Sequence, residues 1–455
     1  MTQALLFQTG PDGNYEPQNQ TSVEGNDDQA FWGFAVMSAA EFGFPNPPPG
    51  DYQWLELAQA VFNRQAERWD TAHCDGGLRW QFNALNNGWM TKNSISNGCF
   101  FQLAARLARY TANDTYAYWA NVTYDWMSSS PLMNADYSVF DSIGFTDTTC
   151  DTEAGQIQWT YNIGTMIAGC AYMYNYTQDT IWAQRLQGFL NHTQSVFFQA
   201  QYGGKTMVEY ACEPLNTCNA DQRSFKAYLA RWLAAAIQLA PFTATQITPW
   251  LQTSALAAAR VCTGSANDPS CGRKWYVPTN DGSQDVGNQL AAMSVVQSNL
   301  IYTVAPPYSA ATGGNSTGDP GAGSGAPPPL PEVDRAPLTE ADRAAAWFLT
   351  VLVMLAMVGF GWFLLSEKDL EDWYVARLHG EEIRHWIGLP NALSLGLSRS
   401  TPPFRAATAS GASELPTWRT LSLFFSTTTL DRLVCTPRLR ARRIIRRSGM
   451  QRVGR

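Results

Sequence analysis

Between residues 29 and 303 apolar side chains return every three to four positions, segment after segment. That spacing places them on one face of a helix and scarcely anywhere suits a strand, whose alternation has a period of two. The segments 29–42, 52–69, 97–110, 158–174, 181–199, 224–239, 248–262 and 285–302 all read as helices. Their connections are rich in Gly, Asn, Asp and Pro, as in Phe44-Pro45-Asn46-Pro47-Pro48-Pro49. Eight or more helices with medium connections predict an all-α domain. A toroid of paired helices with a groove at one end accommodates such connections, and the spacing alone does not separate it from an irregular bundle.

Composition changes twice after this domain. Residues 304–343 hold Ala305-Pro306-Pro307, Gly313-Gly314-Asn315-Ser316-Thr317-Gly318 and Pro327-Pro328-Pro329, and read as a stalk. Residues 344–365 carry no charge, with Trp347 and Trp362 near the two ends. That length matches the roughly 20 residues of a membrane-spanning helix, and tryptophans favour membrane interfaces. Of 31 basic and 38 acidic residues, 15 and 8 follow Leu365, which leaves 16 and 30 before it. The tail 366–455 is therefore basic and the main body acidic, a poor match to nucleic acid. The bias favours a tail on the cytosolic side and a luminal or external domain, at the cell surface or in the endomembrane system.

Eight of nine cysteines precede residue 300, an even set that suits disulfides; Cys435 lies in the tail. Cys212/Cys218 and Cys262/Cys271 bracket short loops and are the easiest pairs to close. Sequons for N-glycosylation stand at Asn19, Asn113, Asn121, Asn175, Asn191 and Asn315, which points to a secretory lumen. Residues 1–20 show no basic start and no long apolar run.

Metal and nucleophile chemistry find little here. His73 and His192 are the two histidines before the apolar segment, and HExxH, paired CxxC and GxSxG do not occur. No cofactor is called for. Carboxylates beside aromatics remain. Gly25-Asn26-Asp27-Asp28-Gln29-Ala30-Phe31-Trp32-Gly33 sets two adjacent aspartates at a helix start. Capping alone accounts for such a run, with Asn26 as the N-cap and two acids favoured by the helix dipole. Breaking a glycosidic bond also takes two carboxyl groups, one to protonate the leaving oxygen and one to attack or to activate water. Cys74-Asp75-Gly76-Gly77-Leu78-Arg79-Trp80-Gln81, the polar loop from Lys92 to Gly98, and Gln158-Trp159-Thr160-Tyr161-Asn162 add flat rings and amides of the kind that meet sugars. The candidate subsite residues are Asp75, Trp80, Asn93, Asn97, Trp159, Tyr161 and Asn162.

These runs resemble glycoside hydrolase family 76, the endo-α-1,6-mannanases, in its fungal cell-wall branch. GNDDQAFWG, CDGGLRWQ, KNSISNGCFFQLAARLARYT, QWTYNIGTMIAGCAYMY and DQRSFKAYLARWLA follow in the family's order over about residues 1–300. The resemblance implies an (α/α)6 barrel over 1–303, lacking its leader and about one and a half first helices. It implies a retaining mechanism with Asp27 as nucleophile and Asp28 as general acid/base. The substrate it implies is α-1,6-mannan or the mannose chains of a GPI glycan, in wall biogenesis by hydrolysis or transglycosylation. A mannan-binding, wall-linking membrane protein without catalysis is the competing expectation. The branch ends in a GPI-anchor signal. The tail 366–455 departs from that pattern and reads either as a membrane-spanning variant or, by preference, as a spurious extension.

Overall fold

The computed structural model describes residues 1–264, 268–324 and 340–365. Two compact units divide the chain, Met1–Ala341 and Asp342–Arg455. The first unit holds α1 (Thr2–Leu6), α2 (Asn26–Glu41), α3 (Trp54–Glu67), α4 (Ser94–Thr111), α5 (Asp114–Ser129), α6 (Thr160–Thr177), α7 (Thr180–Phe197), α8 (Phe225–Leu239), α9 (Ala244–Arg260) and α10 (Val286–Ser298). All eight expected helices form, and α5 joins them. A short antiparallel pair, β1 (Thr91–Asn93) and β2 (Ser142–Gly144), lies beside the start of α4.

The helices alternate between two layers. α2, α4, α6, α8 and α10 pack in series as an inner row, and α3, α5, α7 and α9 pack on their outer side. Within the inner row, α4, α6 and α8 are buried on nearly every face, while α2 and α10 keep an exposed side. In α4 every residue from Ser94 to Tyr110 is buried. Each fully buried Phe or Leu there, such as Phe100, Phe101 and Leu103, contributes about 1.5–3 kcal/mol. Side-chain caps fix several helix starts: Asn93 accepts from the Ser96 amide at 3.2 Å and Asp285 from the Asn288 amide at 2.9 Å.

Two sequence expectations change. Residues 304–324 are not a free stalk. Arg109 Nη1 donates to the carbonyls of Pro307 and Tyr308 at 3.0 and 2.7 Å, and the Tyr308 amide donates to Glu41 O at 2.7 Å. Ser316 Oγ accepts from the Leu55 amide at 2.9 Å, and Asn63 Nδ2 donates to Ala322 O at 2.7 Å. The segment is a strap that leaves α10, crosses the ends of α2 and α4, and follows α3. Its glycines permit close contact rather than slack: a Cβ on Gly323 would lie 2.8 Å from the Ala60 backbone. Of the rest of the expected stalk, 340–343 belong to a helix that begins at Glu340, while 325–339 and the tail 366–455 with Cys435 lie outside the described residues.

The eight cysteines of the body do not all pair. Cys74–Cys150, Cys212–Cys218 and Cys262–Cys271 are disulfides, while Cys99 and Cys170 are free and buried in the inner row. They sit on α4 and α6 as small apolar residues. In the second unit, the expected membrane segment falls in α11 (Glu340–Leu365), whose described side chains from Trp347 to Val358 are exposed. Over the described residues no helix is long and apolar enough to cross a membrane.

Candidate active site

The first turn of α2 opens into a groove of about 620 Å³, lined by Asp27, Asp28, Trp80, Asp141, Trp159, Tyr161 and the 219–228 segment among others. The helix begins one residue earlier than Asn26 as a cap would require. Gly25 is the N-cap, its amide donating to Asp28 Oδ2 at 2.8 Å. Asn26 instead ties the helix to its neighbours: its Nδ2 donates to Arg79 O at 2.8 Å and its Oδ1 accepts from Arg68 Nη1 at 2.7 Å. The Asn26 amide donates to Trp80 O at 2.9 Å. Tertiary pairing with residues 79–81 thus sets the register of the helix start.

That pairing hangs Trp80 over the acid pair. Trp80 Nε1 donates to Asp27 Oδ2 at 3.1 Å, while Asp27 Oδ1 is buried without a partner. Two glycines make room. A Cβ on Gly25 would lie 2.6 Å from Asp27 Oδ1, and one on Gly88, at φ +97°, would lie 2.2 Å from the Trp80 ring. Asp27 is half-buried and Asp28 exposed toward the groove.

Both carboxyls are pushed up. Asp27 rises to about 7, first through desolvation among the aromatic walls and then through the charge of Asp28, against the opposing pull of backbone amides and Trp80. Asp28 rises through desolvation, against the Gly25 amide, with Asp221 adding to the rise. Glu24, buried just ahead of the pair, rises to about 8 through burial, Asp28 and Asp27.

The other expected residues divide. Trp80, Trp159 and Tyr161 line the groove, and Tyr161 stacks on Phe225 with centroids 3.7 Å apart. Asn162 stands behind it, donating to Asp141 Oδ1 at 3.3 Å. Asn93 caps α4. Asn97 is fully buried, accepting from the Leu78 amide at 2.7 Å and donating to Leu78 O at 3.0 Å, so it clamps the loop that carries Trp80. Asp75 is exposed beside the Cys74–Cys150 disulfide and does not line the groove. Gly76 and Gly77 make a turn against Trp126 rather than a ligand cradle.

His73 joins a structural knot. Its Nδ1 meets Asp70 at 3.1 Å, Arg79 Nε donates to Asp70 at 2.9 Å, and Lys92 Nζ donates to the carbonyls of Asp70 and His73 at 3.0 and 2.5 Å. Sequence reasoning missed Asp141 and Asp221, which add carboxyls to the groove, and Phe31, Phe225 and Tyr228, which add rings. Asp221 opens the run DQRSFKAYLARWLA, the one available signal for that wall.

Comparison with known proteins covers the same ground. The description Glycosyl hydrolase family 76 matches residues 1–311. The chain is 47% identical over 366 residues to mannan endo-1,6-alpha-mannosidase DCW1 of Candida glabrata, covering 80% of each chain. It is 45% identical to DCW1 of Saccharomyces cerevisiae, covering 80% of this chain and 79% of that one. A crystal structure of Dfg5 from Chaetomium thermophilum in complex with glucosamine superposes with a TM-score of 0.66 at 41% identity, over 70% of this chain and 78% of that one.

Proposed function

The chain belongs to glycosyl hydrolase family 76, and from that membership we propose that it is an endo-acting, retaining glycosidase or transglycosidase of α-1,6-mannan in fungal cell-wall biogenesis. The observation that carries this reading is the Asp27–Asp28 pair in the first turn of α2, facing a groove walled by Trp80, Trp159 and Tyr161. The alternating layers support an (α/α)6 barrel of which five inner helices are described.

The groove residues take distinct parts. Flat rings carry the C–H faces of the sugars, and the carboxyls of Asp141 and Asp221 accept from hydroxyls. Trp80 and the first-turn amides donate to Asp27 and oppose its desolvation, which supports Asp27 as the nucleophile and leaves Asp28 as the general acid/base. Asp27 attacks the anomeric carbon as Asp28 protonates the leaving glycosidic oxygen. Asp28 then removes a proton from water or an acceptor hydroxyl, which displaces Asp27 and restores the configuration. Mannose chains of a GPI glycan fit the same groove chemistry. The uncharged stretch 344–365 and the six sequons support a membrane-tethered domain outside the cytosol.

Digestion of α-1,6-mannan oligosaccharides, with the anomer of the first product followed by NMR, tests the proposal. Internal cleavage with retained α configuration is expected. An inverted first product, or full turnover by both Asp27→Asn and Asp28→Asn, would overturn it.

A further inference from the structure

Glu209 is almost completely buried and has no place in the chemistry above. Its two carboxylate oxygens accept from the Thr160 amide at 3.1 and 3.3 Å, and one of them also from the Thr160 hydroxyl. Thr160 is the first residue of α6, and the preceding residue, Trp159, supplies no side-chain cap. A helix start leaves unpaired amides. α4 and α10 satisfy theirs with the residue just ahead; α6 uses a carboxylate from another part of the chain.

The residues on either side of Thr160 are Trp159 and Tyr161, both groove walls. Glu209 also begins the adjoining wall, whose Phe225 packs on both Trp159 and Tyr161. Its carbonyl accepts from the amides of Cys212 and Glu213 at 3.2 and 3.0 Å, a turn that leads through the Cys212–Cys218 disulfide to Asn219, Asp221 and Phe225. Trp159, Cys212, Cys218 and Phe225 form a small apolar cluster of their own, separate from the main core. Among the charged groups nearby, Glu213 lies 2.6 Å from Lys226 Nζ, which donates to Arg273 O at 2.8 Å, and burial together with Glu213 pushes Glu209 up to about 8.

We propose that Glu209 is a positioning residue for sugar binding, a clasp that holds the Trp159–Tyr161 wall and the 219–225 wall at one spacing through Thr160. This rests on the groove being the site for α-1,6-linked mannose. The clasp acts on binding of substrate and transition state alike, so it moves KM rather than kcat.

The test compares wild type with Glu209→Ala, Glu209→Gln and Thr160→Val on α-1,6-mannotetraose, with amide hydrogen exchange followed over residues 159–164. Glu209→Ala should raise KM about tenfold, as leaving a buried amide without its acceptor allows, with kcat within about twofold and faster exchange at the start of α6. Glu209→Gln keeps an acceptor for the amide and should return KM to within about threefold of wild type. Thr160→Val should fall between them, and decides the matter if the alanine variant does not fold. Unchanged KM in a folded alanine or valine variant, or loss of kcat alone, overturns the clasp. A wild type that neither binds nor cleaves the oligosaccharide ends the proposed function instead; the exchange experiment then decides the clasp, and unaltered protection overturns it.

Discussion

The two ends of the inner helices treat charge in opposite ways. At the groove end, Asp27 has one carboxylate oxygen on Trp80 and the other buried without a partner, with Asp28 and Glu24 close by. At the far end, Glu41 closes α2 and also has one buried oxygen without a partner, Oε1, but its Oε2 accepts from Arg106 Nη2 at 2.7 Å, Arg106 Nε at 3.2 Å and Tyr172 OH at 3.1 Å. Arg109 lies a turn further along α4, bonded to Asn175 and to the strap. Cations belong at helix C-termini, so this end collects arginines and matches them. The groove end clusters like charges, which raises the carboxyls and destabilises the fold. One set of helices thus carries paired opposite charge at one end and clustered like charge at the other.

The sharpest way to break the comparison is to neutralise each end in turn. Asp28→Asn should lower kcat by about 10²–10⁴-fold, the usual worth of a positioned acid/base, with thermal stability kept or raised. Stability lost together with activity would mean that the pair is structural. At the other end, Arg106→Met leaves Glu41 buried without its main partner and should cost about 3–5 kcal/mol in denaturant unfolding. A variant that unfolds like wild type would remove the distinction between the ends.

A subtler test uses pH. The folded-state value of Asp27, about 7, lies above the roughly 3.9 of an unfolded aspartate. The folded chain therefore binds more protons between these values, and this contribution to stability is present at low pH and lost as pH rises through 7. Asp27→Asn removes the loss. Its melting temperature should gain on wild type from pH 4 to pH 8, and a constant difference would count against an uncompensated groove carboxyl. The smallest effect concerns glycans. Asn175 Oδ1 accepts from Arg109 at 2.7 Å and its Nδ2 donates to Leu239 O at 2.9 Å, whereas Asn19, Asn191 and Asn315 are exposed. Peptide mapping of protein secreted from a eukaryotic host should find sugar at those three and none at Asn175.

Most helices were legible because their apolar spacing is strong and their caps local: Asn93, Asp179 and Asp285 each accept from an amide two or three residues on, as does Asn113 at the start of α5, which the spacing missed. What local pattern could not supply was pairing across the chain. Asn26 looked like a cap, yet its bonds run to Arg68 and Arg79, 42 and 53 residues away. Asn97 looked like a sugar ligand, yet it holds Leu78. Asp141 and Asp221 sit outside the long helices, where no periodicity marks them. Residues 304–324 looked loose because Gly and Pro are counted as flexible, whereas here small size lets the chain lie flat on α3.

The strap has a mechanical consequence. Tension on the chain beyond Ser324 reaches α3 first, through the bonds of Asn63 and Ser316, and only later Arg109. Those bonds would yield one after another, like stitches, while the aspartates at the opposite end kept their alignment.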